Sequence, residues 1–139
     1  MRFMGIDPGM KRVGLALGDD ESALATPHKT LLRQDDPSLL RALIEEARAA
    51  EVEALVLGLP VRMNGSEGPE AKRSRALGKA LEQRGKLQVI LWDERLTSAE
   101  AERQLRASGL RGDKKKALID QAAATVLLQS YLDARRAQP

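Results

Sequence analysis

Apolar residues in the first quarter of the chain fall in short runs that are typical of β-strands. Two such runs, residues 2–7 and 12–18, are separated by the turn-forming pair Pro8-Gly9 and predict an antiparallel hairpin. A third strand is predicted from Ala23 to Leu31, with an interruption at Pro27. The pattern therefore predicts that three strands open the fold.

The spacing then becomes helical. Asp36-Pro37 predicts an N-cap followed by proline at the first helical position. Apolar residues follow at the spacing of an amphipathic helix: Leu39, Leu40, Leu43, Ile44 and Ala47. The continuous apolar run at residues 53–59 predicts a strand that is covered on both faces and ends at Pro60.

A second helix and a further strand are predicted next. The loop at residues 61–69 is rich in glycine and proline, and a helix is predicted from Pro69 to Arg84, where Gly85 breaks it. Residues 87–92 form another apolar run, which predicts a strand. Helices and strands alternate in this part of the chain, as they do in proteins with parallel sheets.

The last third of the chain is predicted to be helical. Thr97 and Glu100 have capping-box spacing and predict a third helix that extends to about residue 107. Residues 108–116 are basic and contain glycine, so they predict a mobile loop, and a final helix is predicted from Lys114 to Ala134. Together these elements predict an α/β fold with five strands.

Length and composition limit the classes of protein that need to be considered. A chain of 139 residues fits one domain, residues 1–139, and not two. No apolar run approaches membrane-spanning length and no secretory leader pattern is present, so we expect a cytoplasmic protein with no membrane partner. The absence of cysteine and the single His28 exclude disulfides, thiolate zinc sites and multi-histidine metal sites.

Three carboxylates lie at positions where α/β folds commonly have their functional residues. Asp7 ends the first strand, Glu94 follows the last strand, and Asp120 lies on the final helix beside apolar and small residues. Carboxylates favour hard cations such as Mg2+ or Mn2+. Three of them converging on such ions provide the chemistry for in-line attack on phosphorus. We therefore take Asp7, Glu94 and Asp120 as candidate metal ligands and catalytic residues of a nuclease.

Each of these acids also has a structural interpretation. Asp7 before Pro-Gly suits a turn residue that bonds its own backbone. Asp93 and Glu94 could favour the start of the next helix through its dipole, and Asp93 competes with Glu94 as the ligand. Asp120 could pair with Lys116, four residues earlier. The prediction therefore depends on the set of three and not on any single acid.

The basic residues suggest a polyanionic partner. The chain has 23 Lys and Arg against 20 Asp and Glu, and its aromatic content of 2% argues against base stacking as the main mode of binding. Contacts with a nucleic-acid backbone are expected from seven residues: Lys11, Arg12, Arg95, Arg111, Lys114, Lys115 and Lys116. A second basic group at residues 72–75 is, like any such run, most often a solvated face.

Four stretches together resemble the YqgF/RuvX family of RNase H-like, Holliday-junction-resolvase-like proteins, which includes pre-16S rRNA processing nucleases. They are residues 5–14, Gly58-Leu-Pro60 with Asn64-Gly65, residues 93–97, and residues 120–133. The resemblance implies an RNase H-like mixed five-stranded sheet, with an antiparallel opening meander followed by parallel strands, flanked by helices. This agrees with the elements predicted above.

The resemblance also implies roles for individual residues. Asp7 and Asp120 fall on well-matched motif positions as metal ligands. Related resolvases place the middle acid on the strand that here spans residues 55–59, which has no carboxylate, so Glu94 takes that role. Gly18 and Ser98 depart from common family residues at positions away from this chemistry.

The implied activity is a Mg2+-dependent endonuclease that processes the 5′ end of precursor 16S rRNA in ribosome biogenesis, with precursor rRNA and ribosomal particles as partners. Resolution of Holliday junctions is the first alternative; paired cuts need a symmetric dimer, and with no obvious dimer seam we expect a monomer or a weak homodimer. Two further alternatives are an actin-like ATPase, against which the single-domain length argues, and a non-catalytic RNA-binding assembly factor.

Overall fold

The structure, a computed structural model, describes residues 1–95 and 112–137, with the backbone alone at residues 112–117. The predicted third helix lies outside the described residues. The described elements, in chain order, are β1 (Arg2–Pro8), β2 (Arg12–Asp19), β3 (Leu24–Leu32), α1 (Asp36–Ala49), β4 (Ala54–Leu59), α2 (Pro69–Gly85), β5 (Gln88–Asp93) and α3 (Gly112–Ala137).

The five strands form one mixed sheet in the order β3-β2-β1-β4-β5. β2 pairs with β1 and β3 in antiparallel fashion, whereas β4 pairs with β1 and β5 in parallel. The register of β2 and β3 shifts between Leu15 and Ala16, so β3 continues through the predicted interruption at Pro27 by an irregularity in pairing. The predicted antiparallel meander followed by parallel strands is confirmed.

Helices cover both faces of the sheet. Because successive side chains of a strand point to opposite faces, Met4 and Ile6 pack towards α1 and α2, whereas Phe3 packs towards α3. The same alternation places Asp7 on the face that α3 covers. The position of the first carboxylate is therefore set by strand periodicity.

α3 approaches the sheet closely because glycines lie beneath it. A Cβ on Gly14 would collide with the backbone carbonyl of Asp120, and a Cβ on Gly5 would lie 2.8 Å from the Cβ of Leu128. Residues with larger side chains would therefore hold the helix away from the sheet. This contact places Asp120 directly over β2, next to the strand that carries Asp7.

Two helix ends differ from the prediction. The N-cap of α1 is Asp35, not Asp36, because the Asp35 side chain lies three residues before the Ser38 amide and accepts its N–H at 2.8 Å. The second difference is at the end of α2. Gly85, which was predicted to break the helix, still belongs to it, and the residue in the left-handed conformation that ends the helix is Lys86.

The prediction of a basic loop before the last helix is also wrong in part. α3 begins at Gly112, so Lys114, Lys115 and Lys116 belong to the start of a helix and not to a loop. Lysine is a good helix former, and a helix that starts at residue 112 can include this run without cost in propensity. None of the described helices, α3 included, is long and apolar enough to cross a membrane.

A pair of glycine substitutions tests the close packing of α3. Gly14→Ala places a methyl group against the backbone of Asp120, which cannot rotate away, so we expect the free energy of unfolding in urea to fall by about 1–3 kcal/mol. Gly78→Ala is the control, because its new Cβ would meet side-chain atoms at 3.4 Å or more, within a helix. We expect that variant to match the wild type or gain up to about 1 kcal/mol. Equal stability of both variants would contradict the packing described here.

Candidate active site

Asp7 lies between two strands that carry glycine at the neighbouring position. β1 pairs Asp7 with Gly14 on one side, and the register of Ile6 with Leu57 brings Gly58 alongside on the other. β1 connects onward to β2, whereas β4 connects through α2 to β5, so the chain leaves these two strands in opposite directions. The carboxyl end of such a strand pair is the usual ligand site of an open α/β sheet.

Glu94 reaches this position from the next strand. Its backbone N–H donates to the Leu59 carbonyl at 3.3 Å, which extends the pairing of β5 with β4 by one residue. A Cβ on Gly58 would collide with Oε2 of Glu94. Glu94 therefore occupies the space above β4 that a side chain on β4 itself would otherwise fill, and glycine at position 58 is what makes the space available.

Asp120 approaches from α3 but is held by an arginine. Nε of Arg12 donates to Oδ2 of Asp120 at 2.7 Å, and the Asp120 side chain is only 16% exposed. The alternative partner Lys116 has no described side chain. Burial raises the pKa of Asp120, and the hydrogen bond from Arg12 offsets this only in part.

Asp7 and Glu94 are buried next to each other, and this raises the pKa of both acids. Burial raises the pKa of Asp7 to about 6, while a hydrogen bond from Glu94 opposes the shift and the charge of Asp120 adds to it. Burial, and after it the negative charge of Asp7, raise the pKa of Glu94 to about 8. Near neutral pH, Glu94 therefore keeps its proton and donates it to the Asp7 carboxylate.

The acid pair has the properties of a cation site. Oε2 of Glu94 is buried, and no donor group of the described residues bonds it. An ionised carboxylate in that place needs a positive partner, and a site built from carboxylate oxygens suits a hard divalent cation. Asp7 and Glu94 thus fit a metal as a pair. Because Asp120 is drawn to Arg12, the described acids do not form a ready group of three.

Asp93, the competing candidate, is engaged elsewhere. Its Oδ1 accepts the backbone N–H of Arg95 at 2.9 Å, and its Oδ2 accepts Nε of the same residue at 2.7 Å. Burial raises the pKa of Asp93, but these hydrogen bonds prevail and leave that pKa below its ordinary value. Of the two neighbouring acids, the structure brings Glu94, and not Asp93, to Asp7.

The predicted basic residues have different surroundings. Arg12 and Arg95 each pair with an acid, Asp120 and Asp93 respectively, whereas Lys11 is exposed in the turn after Asp7. Arg111 lies outside the described residues. The Lys114–Lys116 backbone lies in the first turns of α3, and the side chains are not described.

Sequence reasoning missed two contributors to the site. The sequence indicates Gly58 only as part of the Gly58-Leu-Pro60 stretch, although its missing side chain accommodates Glu94. The second contributor is Arg33, whose Nη1 donates at 3.1 Å to the carbonyl of Gly9, in the turn that follows Asp7. The glycine was visible as an interruption in an otherwise aliphatic strand, whereas nothing in the local pattern singled out the arginine.

Comparison with known proteins agrees with this architecture. The family model described as RuvX, Holliday junction resolvase, matches residues 1–134. The chain belongs to the RuvX family. The resemblance to YqgF/RuvX proteins seen in the sequence is thereby confirmed.

Relatives of the RuvX chain match nearly its whole length. A protein of Syntrophomonas wolfei named "Putative pre-16S rRNA nuclease" is 43% identical over 133 residues, covering 96% of this chain and 94% of the relative. A protein of Anaeromyxobacter sp. strain K with the same name is 42% identical over 135 residues, covering 97% and 98%.

Two solved structures share the fold. RuvC of Thermus thermophilus in complex with a Holliday junction aligns with a TM-score of 0.61 at 16% identity, covering 99% of this chain and 97% of that one. The fowlpox virus resolvase in complex with Holliday junction DNA aligns with a TM-score of 0.62 at 13% identity, covering 97% and 99%. The predicted RNase H-like class is confirmed by this likeness of fold.

The shared burial of Asp7 and Glu94 predicts an unusual dependence of stability on pH. In the unfolded chain these acids ionise near pH 3.8 and 4.5, but in the folded protein only near pH 6 and 8. The folded state therefore binds more protons between about pH 4 and pH 8, and the free energy of unfolding falls as the pH rises through this range. Without divalent cations, Glu94→Gln should show a smaller fall in the free energy of unfolding. Above pH 8, its free energy of unfolding should exceed that of the wild type by on the order of 2 kcal/mol.

Urea denaturation in EDTA at a series of pH values measures this effect. Glu45→Gln, which removes an exposed carboxylate of α1, is the matched control and should follow the wild-type profile. Parallel profiles for the wild type and Glu94→Gln would show that burial of Glu94 does not govern the titration.

Proposed function

We propose that this chain is a divalent-cation-dependent endonuclease that cleaves structured nucleic acid, with the 5′ end of precursor 16S rRNA as its substrate. The observation that carries the proposal is the buried pair of Asp7 and Glu94, which has no positive partner among residues 1–95 and 118–137 at the ligand-binding end of the sheet. Membership of the RuvX family and the names of its relatives support hydrolysis of phosphodiesters.

Asp7 and Glu94 would hold the cation, which we take to be Mg2+ or Mn2+. When bound, the cation supplies positive charge that stabilises the developing charge on the phosphate in the transition state. Glu94 would release its proton to the solvent when the cation binds, because its carboxylate would then have a positive partner. Asp120 would complete the set by exchanging Arg12 for the cation.

The release of Arg12 has a consequence for substrate binding. Arg12 and the exposed Lys11 stand in the turn beside Asp7, so a guanidinium freed from Asp120 lies where the charge of a substrate phosphate must be offset. Such contacts position the backbone without reading sequence. We further propose that the protein acts in the cytoplasm on ribosomal precursor particles.

Holliday-junction resolution is the second candidate. The family description names this activity, and the fold is that of two resolvases solved with junction DNA. The same acid pair would serve both substrates, because the chemistry at phosphorus is the same. Resolution requires two sites related by symmetry, so it predicts a dimer that cuts both strands.

Substitution of the acids tests the proposed nuclease. In Asp7→Asn and Glu94→Gln, cleavage of a labelled precursor 16S rRNA fragment in Mg2+ should fall more than about a hundredfold, beyond the loss typical of residues that only support metal ligands. Asp93→Asn removes a neighbouring acid that is engaged with Arg95 and should cleave near the wild-type rate.

The same preparations are incubated with a labelled four-way DNA junction, with and without Mg2+. Cleavage of the rRNA fragment alone supports the first candidate, and paired cuts in the junction alone support the second. If Asp7→Asn cleaved as fast as the wild type, the acid pair would not be the active site.

A further inference from the structure

A small pocket lies beside the acid pair, next to the turn after β1 and against α2. Its volume is about 210 Å³, and its lining includes Pro8, Pro60, Ser74 and Glu94. Pro8 ends β1 and Pro60 follows β4, so the pocket opens at the carboxyl ends of the two strands from which the chain departs in opposite directions. It therefore shares the ligand-binding end of the sheet with the acids.

Two arginines with different surroundings line this pocket. Arg33 is fixed, because Nη1 donates to the Gly9 carbonyl at 3.1 Å and Nη2 donates to Oδ1 of Asp36 at 2.9 Å. Arg73 is exposed on α2, and its side chain makes no ion pair or hydrogen bond with any residue in the described part of the chain. Arg75, by contrast, is held on both sides of its guanidinium by Glu67.

The anions near Arg73 do not neutralise it by contact. Glu70 lies one turn earlier on α2 and Glu94 also lines the pocket, yet neither forms an ion pair with Arg73. An arginine that lines a pocket and bonds no carboxylate of the described residues has its donors available for a ligand there. The guanidinium is a planar fork that matches the oxygens of a phosphate and binds them in bidentate fashion.

The size of the pocket limits the ligand. At about 210 Å³ it is smaller than the roughly 300–1,000 Å³ of pockets that enclose whole cofactors, so it suits a single charged group. Because Glu94 belongs both to the acid pair and to the pocket lining, the pocket adjoins the acid pair.

We propose that this pocket binds the backbone phosphate that neighbours the scissile one. Arg73 donates hydrogen bonds to this phosphate, and Arg33 forms a fixed part of the pocket lining. The proposal rests on the proposed nuclease function, since it places the reacting phosphate at Asp7 and Glu94. It assigns a binding role to a basic residue that the charge pattern alone left as part of a solvated face.

Binding of RNA in the absence of cleavage tests the contact. The full chain in EDTA is titrated against a fluorescently labelled precursor 16S rRNA fragment at several salt concentrations, and anisotropy gives the affinity. Arg73→Ala should bind about tenfold more weakly and should lower the slope of log affinity against log salt by about 0.7–1. Arg73→Lys should keep the slope and recover part of the affinity, because lysine contacts phosphate only as a point charge.

Arg48→Ala is the matched control. Arg48 is an exposed arginine in the last turn of α1, which leads into the start of β4 and so lies at the opposite end of the sheet. It should bind like the wild type, and all variants should share the wild-type melting temperature.

Two results would overturn the proposal: equal binding by Arg73→Ala and Arg48→Ala, or a loss of affinity in Arg73→Ala with an unchanged salt slope. Cleavage in Mg2+ is measured in parallel. If the wild type binds RNA through Arg73 but cleaves no substrate, the nuclease function fails while the phosphate contact stands.

Discussion

The site depends on one interaction, the burial of two carboxyl groups side by side. Near neutral pH, Asp7 and Glu94 do not both ionise without a positive partner, because burial and their mutual repulsion raise the pKa of Glu94, and the buried Oε2 of Glu94 has no donor among the described residues. A proton on Glu94 satisfies the pair when no cation is present. In the proposed function, a divalent cation would satisfy the pair better, because it would bind both carboxylates. Stability, pH and metal binding would then be coupled through the same two side chains.

The fold makes this arrangement possible largely because glycines stand at two positions around the site. Gly14 lets α3 lie against β2, which brings Asp120 to the site, and Gly58 leaves room above β4 for Glu94. Asp7 stands between these two strands at the point where the chain departs in opposite directions. Asp7 in the centre and the glycines on the strands at either side of it therefore act together, because they let groups from distant parts of the chain converge.

The sequence predicted the elements well because hydrophobic periodicity is a local property. The strands, the helices α1 and α2, and the positions of Asp7 and Glu94 at strand ends follow from it. It could not predict the bond between Arg12 and Asp120, since those residues are 108 positions apart and leave no local signal. Nor could it distinguish Asp93 from Glu94, because two adjacent residues are separated only by the direction of their side chains. The cap at Asp35 was missed for a similar reason: adjacent aspartates compete for one amide.

Proton release on metal binding tests the central interaction most directly. Mg2+ is titrated into the protein near neutral pH by calorimetry in two buffers with different ionisation enthalpies, which gives the number of protons released. If Glu94 holds a proton that the cation displaces, the wild type releases about one proton per cation and Glu94→Gln releases none. Binding without proton release in the wild type, or equal release from Glu94→Gln, would contradict the account.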